Sequence, residues 1–267
     1  MRATINGRTV GYIERGSGIP CVLIHGYPLN RMIWRAQWEG LADVARVIAL
    51  DLRGFGESDA VNAAAEISTF ADDVRAFLVA RGVRGRLVLG GLSMGGYVAL
   101  AYLRQYPDQV AGLILANTKA TTDTLESKAN RAKSIALAQA SGADAIVKEM
   151  LPKLLAPQTY ASNPALVARA RRIMRRATVP GIVAALGAMR ERPDSIPTLL
   201  KFERPTLIIA GAADQLMSAA DAEKMKRAAR DSALVTIPHA GHLTPMEQPE
   251  AFNRAVARFL RRVASQS

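Results

Sequence analysis

Gly91-Leu92-Ser93-Met94-Gly95 sits between an apolar strand-like run, Leu87-Val88-Leu89, and an apolar stretch of helical character, Tyr97-Val98-Ala99-Leu100-Ala101-Tyr102. That setting fits a nucleophile elbow, in which a serine occupies a sharp strand-to-helix turn. The turn presses the residues two before and two after the serine against neighbouring groups, so both must lack a side chain that would collide. Gly91 and Gly95 meet that demand. A serine hydroxyl is a poor nucleophile at neutral pH until a base takes its proton and a third group orients the base. The elbow therefore demands a histidine and a carboxylate from elsewhere in the chain.

The chain has only three histidines. His25 lies in His25-Gly26-Tyr27-Pro28 directly after an apolar run, His239 follows Pro238, and His242 lies in Ala240-Gly241-His242-Leu243. A loop between the last strand and the C-terminal helix can hang an imidazole over the carboxyl edge of a sheet, which selects His242 as the base. His239 is left with a local turn or supporting role. Asp214 is the expected acid, because it follows the strand-like Leu207-Ile208-Ile209-Ala210-Gly211 by three residues. Asp221 and Asp231 fall in or beside the next helix, and the end of the strand after the elbow carries Asn117 and Thr118, which offer no carboxylate. The order Ser93, Asp214, His242 is the one expected with this elbow. Two backbone amides are available for a developing oxyanion: Met94, directly after Ser93, and Tyr27, whose neighbour Pro28 has no N–H.

Outward from the elbow, short β runs alternate with longer helical patterns, which predicts an α/β fold with a mostly parallel eight-stranded sheet and helices on both faces. Strands are expected at 3–6, 9–14, 21–24, 46–50, 87–90, 110–116, 205–211 and 233–237, the first two joined by an Asn6-Gly7 hairpin turn. Helices are expected near 69–81, 94–106, 219–229 and 249–263. Nearly ninety residues between the sixth and seventh strands carry helical patterns only, at 125–140, 143–155, 164–177 and 180–191. This divides the chain into a core, 1–118 and 204–267, and a helical lid, 119–203, placed past the carboxyl ends of the strands where ligands of open α/β sheets bind.

Composition narrows the function classes. The 267 residues carry a net charge of +12, and fifteen Lys and Arg against seven Asp and Glu between 119 and 204 place much of that excess in the insertion. On a helix Arg169, Arg172 and Arg176 share one face and Arg171 and Arg175 another, leaving Ala170, Ile173, Met174 and Ala177 to point inward. A solvated helix face is expected, with steering of anionic substrates as the functional alternative. No aromatic interleaving or motif supports nucleic-acid binding. The longest apolar stretch, 87–103, reads as a buried strand and helix rather than a membrane span. The N-terminus has no signal-peptide pattern, and Cys21 is the single cysteine, which excludes an intrachain disulfide and points to a reducing cytoplasm. Cys21 lies beside Val22-Leu23-Ile24 and is expected to be buried and inert. Neither a metal nor a cofactor is expected, since the histidines and the cysteine offer no ligand set. Asp51 to Ser58 lacks the Gly-Lys-Ser/Thr ending of a phosphate loop and reads as a structural turn with an ion pair at Arg53.

His25-Gly26-Tyr27-Pro28, Asp51-Leu52-Arg53-Gly54-Phe55-Gly56-Glu57-Ser58, Gly91 to Gly96, Gly211 to Asp214 and Gly241-His242 together resemble the α/β-hydrolase superfamily over almost the whole chain. Within it the pattern looks most like small bacterial carboxylesterases, cofactor-free haloperoxidases or perhydrolases, and 3-oxoadipate enol-lactonases. The resemblance implies Ser93 as nucleophile, His242 as base, Asp214 as orienting acid and the Tyr27 and Met94 amides as oxyanion hole. The implied activity is hydrolysis of a small-molecule carboxylic ester through an acyl-enzyme. The alternatives are a lactonase of the enol-lactonase type, a perhydrolase side activity, a serine hydrolase of vinylogous diketones, and a non-catalytic ligand-binding scaffold. Ser93 stands where epoxide hydrolases and haloalkane dehalogenases carry aspartate and dienelactone hydrolases carry cysteine. Tyr27-Pro28 stands where perhydrolase-type members more usually show Phe or Trp before the proline.

Overall fold

The computed structural model describes residues 1–60 and 64–266. Among them eight strands form one sheet: β1 (Arg2–Ile5), β2 (Arg8–Arg15), β3 (Pro20–Ile24), β4 (Arg46–Leu50), β5 (Leu87–Leu92), β6 (Val110–Ala116), β7 (Thr206–Gly211) and β8 (Ser232–Ile237). The spatial order is β1-β2-β4-β3-β5-β6-β7-β8. Only β2 runs against its neighbours, pairing antiparallel with β1 and β4. Asn6 and Gly7, at φ of 50° and 76°, close the β1–β2 hairpin with Ile5 opposite Arg8. Both central residues of this two-residue loop are left-handed, as its twist requires. The central strands β5 and β6 are buried at every position, so they read as continuous apolar runs rather than alternating ones.

The helices are α1 (Arg35–Gly40), α2 (Ile67–Ala80), α3 (Met94–Gln105), α4 (Leu125–Ser141), α5 (Ala143–Leu154), α6 (Pro157–Ser162), α7 (Pro164–Met174), α8 (Val179–Glu191), α9 (Ile196–Lys201), α10 (Ala219–Ala228), α11 (Thr244–Glu247) and α12 (Pro249–Ala264). On one face of the sheet a core of Phe70, Phe77 and Tyr102 gathers α2 and α3. On the other, Trp34, Trp38 and Phe252 gather α1 and α12. Helix α12 buries Phe252, Val256, Phe259, Leu260 and Val263, a stripe at helical spacing. Cys21 is fully buried, and burial pushes its thiol up to about 12.

Six helices, α4 to α9, lie between β6 and β7, two more than the four read from the sequence. The additional α6 and α9 have six residues each, too few turns to show a period. The turn 51–58 supports the far end of this insertion. Gly54 and Gly181 touch so closely that a Cβ on Gly54 would stand 2.3 Å from the Gly181 Cα. Thr178 donates to the Gly54 carbonyl through both its N–H, at 2.9 Å, and its hydroxyl, at 3.0 Å. Arg53 pairs with Asp73, as the sequence reading expected, while Asp51 is buried against Arg31 and accepts from the Arg31 and Glu57 amides. Ala170, Ile173, Met174 and Ala177 are buried and the five arginines between 169 and 176 are exposed. Helix α7 ends at Met174, however, so Arg175 and Arg176 do not extend its faces; they pair instead with Asp144 and Glu57. Among the described residues no helix is long and apolar enough to cross a membrane.

Candidate active site

Ser93 joins β5 to α3 with φ 55° and ψ −116°, a conformation that L side chains rarely adopt. The surroundings hold it there. A Cβ on Gly91 would stand 2.1 Å from the Gly95 carbonyl oxygen, and one on Gly95 would stand 2.2 Å from that of Ile24. Both obstacles are backbone, so no rotamer change would relieve them. The Ser93 N–H donates to the Ala116 carbonyl at 2.9 Å, and the Thr118 hydroxyl donates to the Ser93 carbonyl at 2.8 Å. A strained residue persists only where its neighbours over-determine it, and strain of this kind clusters at active sites. The Met94 amide opens the first turn of α3, where N–H groups have no partner within the helix.

His242 lies in the loop between β8 and α11, with its ring buried. Its Nδ1 stands 2.9 Å from Asp214 Oδ2 and 3.1 Å from Oδ1. Asp214 accepts three further hydrogen bonds, from the Leu216 N–H at 2.8 Å, the Met217 N–H at 3.2 Å and Asn117 Nδ2 at 2.8 Å. Burial pushes the Asp214 carboxyl up, but the adjacent His242 and the hydrogen bonds from His242, Asn117 and Leu216 outweigh it and hold the group below the usual carboxylate range. An ionised Asp214 fixes the proton of neutral His242 on Nδ1 and leaves the Nε2 lone pair free. Among the described residues the buried Nε2 has no hydrogen-bond partner. His242 and Ser93 line the same cavity, of about 240 Å³, although no direct hydrogen bond joins them.

Asn117, which offers no carboxylate of its own, clamps Asp214. Its Nδ2 reaches both Asp214 and the Gly241 carbonyl, and its Oδ1 accepts from the Thr244 hydroxyl at 2.7 Å. His25 is a second residue whose role the sequence did not reveal. Its Nε2 accepts from the Leu52 N–H at 2.9 Å, so the proton lies on Nδ1, which donates to the Gly26 carbonyl at 2.8 Å. Burial lowers its pKa and favours this neutral form. His25 thus braces the loop that carries Tyr27, and a Cβ on Gly26 would lie 3.2 Å from Ser93 Cβ, so this loop abuts Ser93. The Tyr27–Pro28 peptide is cis, and the Tyr27 ring lines the cavity and meets Phe55 edge-on. His239 is exposed at φ 57°, with Nδ1 3.4 Å from Gln158 Nε2, and lines a different cavity from Ser93. Among the described residues no group of three His, Cys, Asp or Glu is placed to hold a metal ion.

A family model described as the alpha/beta hydrolase fold matches residues 19–249. The chain belongs to the alpha/beta hydrolase family. The chain is 40% identical, at a TM-score of 0.94, to a thermophilic esterase from Thermogutta terrifontis solved with malate bound, over 99% of this chain and 98% of that one. It is 28% identical to the 2-(acetamidomethylene)succinate hydrolase of Mesorhizobium japonicum, over 97% of this chain and 94% of the relative. It is 26% identical to 3-oxoadipate enol-lactonase 2 of Acinetobacter baylyi, over 97% and 93%. This alpha/beta hydrolase therefore has the esterase and enol-lactonase neighbours that its motifs resemble.

Proposed function

We propose that this alpha/beta hydrolase cleaves small carboxylic esters through an acyl-enzyme on Ser93. The observation that carries the reading is the free lone pair of His242 Nε2, which shares a cavity with a serine held in a strained elbow while its other ring nitrogen is fixed by Asp214. Ser93 Oγ attacks the ester carbonyl carbon and its proton passes to Nε2; Asp214 stabilises the imidazolium. The Tyr27 and Met94 amides face the carbonyl oxygen as it becomes an oxyanion. Collapse of the tetrahedral intermediate expels the alkoxide, which takes the proton from Nε2 and leaves as the alcohol. Water then attacks the acyl group, His242 takes its proton, and the acid departs as that proton returns to Ser93. No cofactor enters any step.

Residues 119–203 act in this reading as a lid over a core of 1–118 and 204–267, because Arg131, Glu149, Leu186 and Met189 of the insertion wall the cavity that holds Ser93. A lactone follows the same path with its alcohol still tethered to the acyl chain, and the enol-lactonase relative supports this second reading. Hydrogen peroxide in place of that water would release a peracid. Turnover of short-chain p-nitrophenyl esters tests the proposal: Ser93→Ala should lose roughly 10⁴-fold or more in kcat. A Ser93→Ala protein as active as wild type would overturn it, and a wild-type protein with no turnover above buffer would leave a ligand-binding scaffold as the better description.

A further inference from the structure

The cavity beside Ser93 carries more charge than ester hydrolysis needs. Lys119, Arg131 and Lys153 line it together with Asp123 and Glu149. Asp123 is fully engaged: Arg131 and the buried Arg192 donate to it, and Lys119 stands 3.7 Å away. Three cations thus surround one carboxylate. Glu149 accepts from the Ser134 hydroxyl at 3.0 and 3.2 Å. Among the described residues the Lys119 ammonium makes that single loose ion pair and no hydrogen bond, although it carries three donors and is largely buried. Tyr97 adds a second unused donor, since its buried Oη has no partner among the described residues while its ring lies under the Arg192 guanidinium at 4.0 Å. Lone donors and surplus positive charge in one buried wall are costly unless an acceptor completes them.

From this wall, and resting on the acyl-enzyme reading above, we infer that the substrate carries a carboxylate that docks against Lys119, Arg131 and the Tyr97 hydroxyl. Tyr97 lies in the first turn of α3, the helix that begins directly after Ser93, and both residues line the one cavity. A carboxylate docked on this wall and a scissile carbonyl at Ser93 thus share about 240 Å³, which makes the substrate class the monoesters or lactones of short dicarboxylic acids. Lys119 and Tyr97 are specificity determinants in this account, and Arg131 serves the substrate while neutralising Asp123.

The test compares kcat/KM for monomethyl succinate, an anion, with that for dimethyl succinate, a neutral ester, by methanol release. The wild-type ratio should exceed about ten, the worth of one charge-assisted hydrogen bond, and should fall as salt is added. Lys119→Met and Tyr97→Phe should each lower the ratio several-fold to tenfold, whereas Lys133→Met, which removes the same charge from an exposed position on α4, should not move it. Succinate monoamide, which keeps one carboxylate, should also inhibit wild-type turnover of the neutral ester better than the uncharged diamide does, a comparison that needs no variant. A ratio at or below one, a preference for a cationic choline ester, or a ratio indifferent to Lys119→Met with both proteins folded would overturn the inference. Labelling of Ser93 by a neutral fluorophosphonate separates the two claims: labelling with no anion preference sinks only the carboxylate site, and absence of labelling sinks the acyl-enzyme itself.

Discussion

Asn117→Ala probes how the site is held together. The side chain makes three hydrogen bonds, to Asp214 Oδ2 at 2.8 Å, to the Gly241 carbonyl at 3.2 Å and from the Thr244 hydroxyl at 2.7 Å, and every partner is buried or nearly so. Alanine removes one bond to a charged group, worth about 1.5–3 kcal/mol, and leaves a buried hydroxyl and a buried carbonyl unpaired, at about 1–3 kcal/mol each. Partial relaxation brings the expected loss to about 3–5 kcal/mol, which for a chain of this size lowers Tm by roughly 10 °C. Activity should fall less than on loss of the carboxylate itself, because Asp214 keeps His242 and the Leu216 and Met217 amides. We expect kcat/KM to drop about 10- to 100-fold, against about 10⁴ for removal of the orienting acid. Thermal unfolding and p-nitrophenyl ester turnover, measured on the same preparation, check both numbers. A variant with wild-type Tm and wild-type kcat/KM would refute the view that Asn117 positions Asp214.

Three further outcomes are expected. Gly95→Ala places a methyl 2.2 Å from the Ile24 carbonyl oxygen, so it should cost about 3 kcal/mol or more and abolish fluorophosphonate labelling of Ser93; a stable, fully labelled variant would contradict the elbow geometry. His25 has a folded pKa held by burial below its ordinary value, so between the two values the unfolded chain binds a proton that the folded protein does not. Its contribution to stability is complete above about pH 6.5 and is lost as pH falls towards the folded value; His25→Gln should flatten the stability slope from about pH 7 to 5 in denaturant titrations, and an unchanged slope would count against the assignment. The Arg176–Glu57 pair joining the insertion to the 51–58 turn is half exposed on the arginine side, so Arg176→Ala should shift stability by about 1 kcal/mol or less in the same titrations; a larger loss would give that contact more weight than its exposure allows.

Much of the fold was legible because its signals are local. Strands buried on both faces read as unbroken apolar runs, Asn6-Gly7 marks the hairpin, and the glycines around Ser93 announce a turn where backbone meets backbone. The short α6 and α9 were not, since six residues reveal no helical period. Ser93, Asp214 and His242 could be picked out because each follows a strand end in a fixed order. Asn117 and Thr244 carried no such signal: their bonds span 97 residues to Asp214 and 127 residues to each other, and only the sheet brings them together. Lys119 was hidden for a different reason, as one of many cations in a basic segment, and only its place on the cavity wall sets it apart.

Trapping the acyl-enzyme probes the covalent step itself. The protein is mixed with a short-chain p-nitrophenyl ester, quenched in acid during the burst, digested and analysed by peptide mass spectrometry. The acyl group should be found on Ser93, within the peptide that contains Gly91 to Gly95, and should be absent from the Ser93→Ala protein. Steady turnover with no acyl group on Ser93, or with the group on another residue, would contradict it.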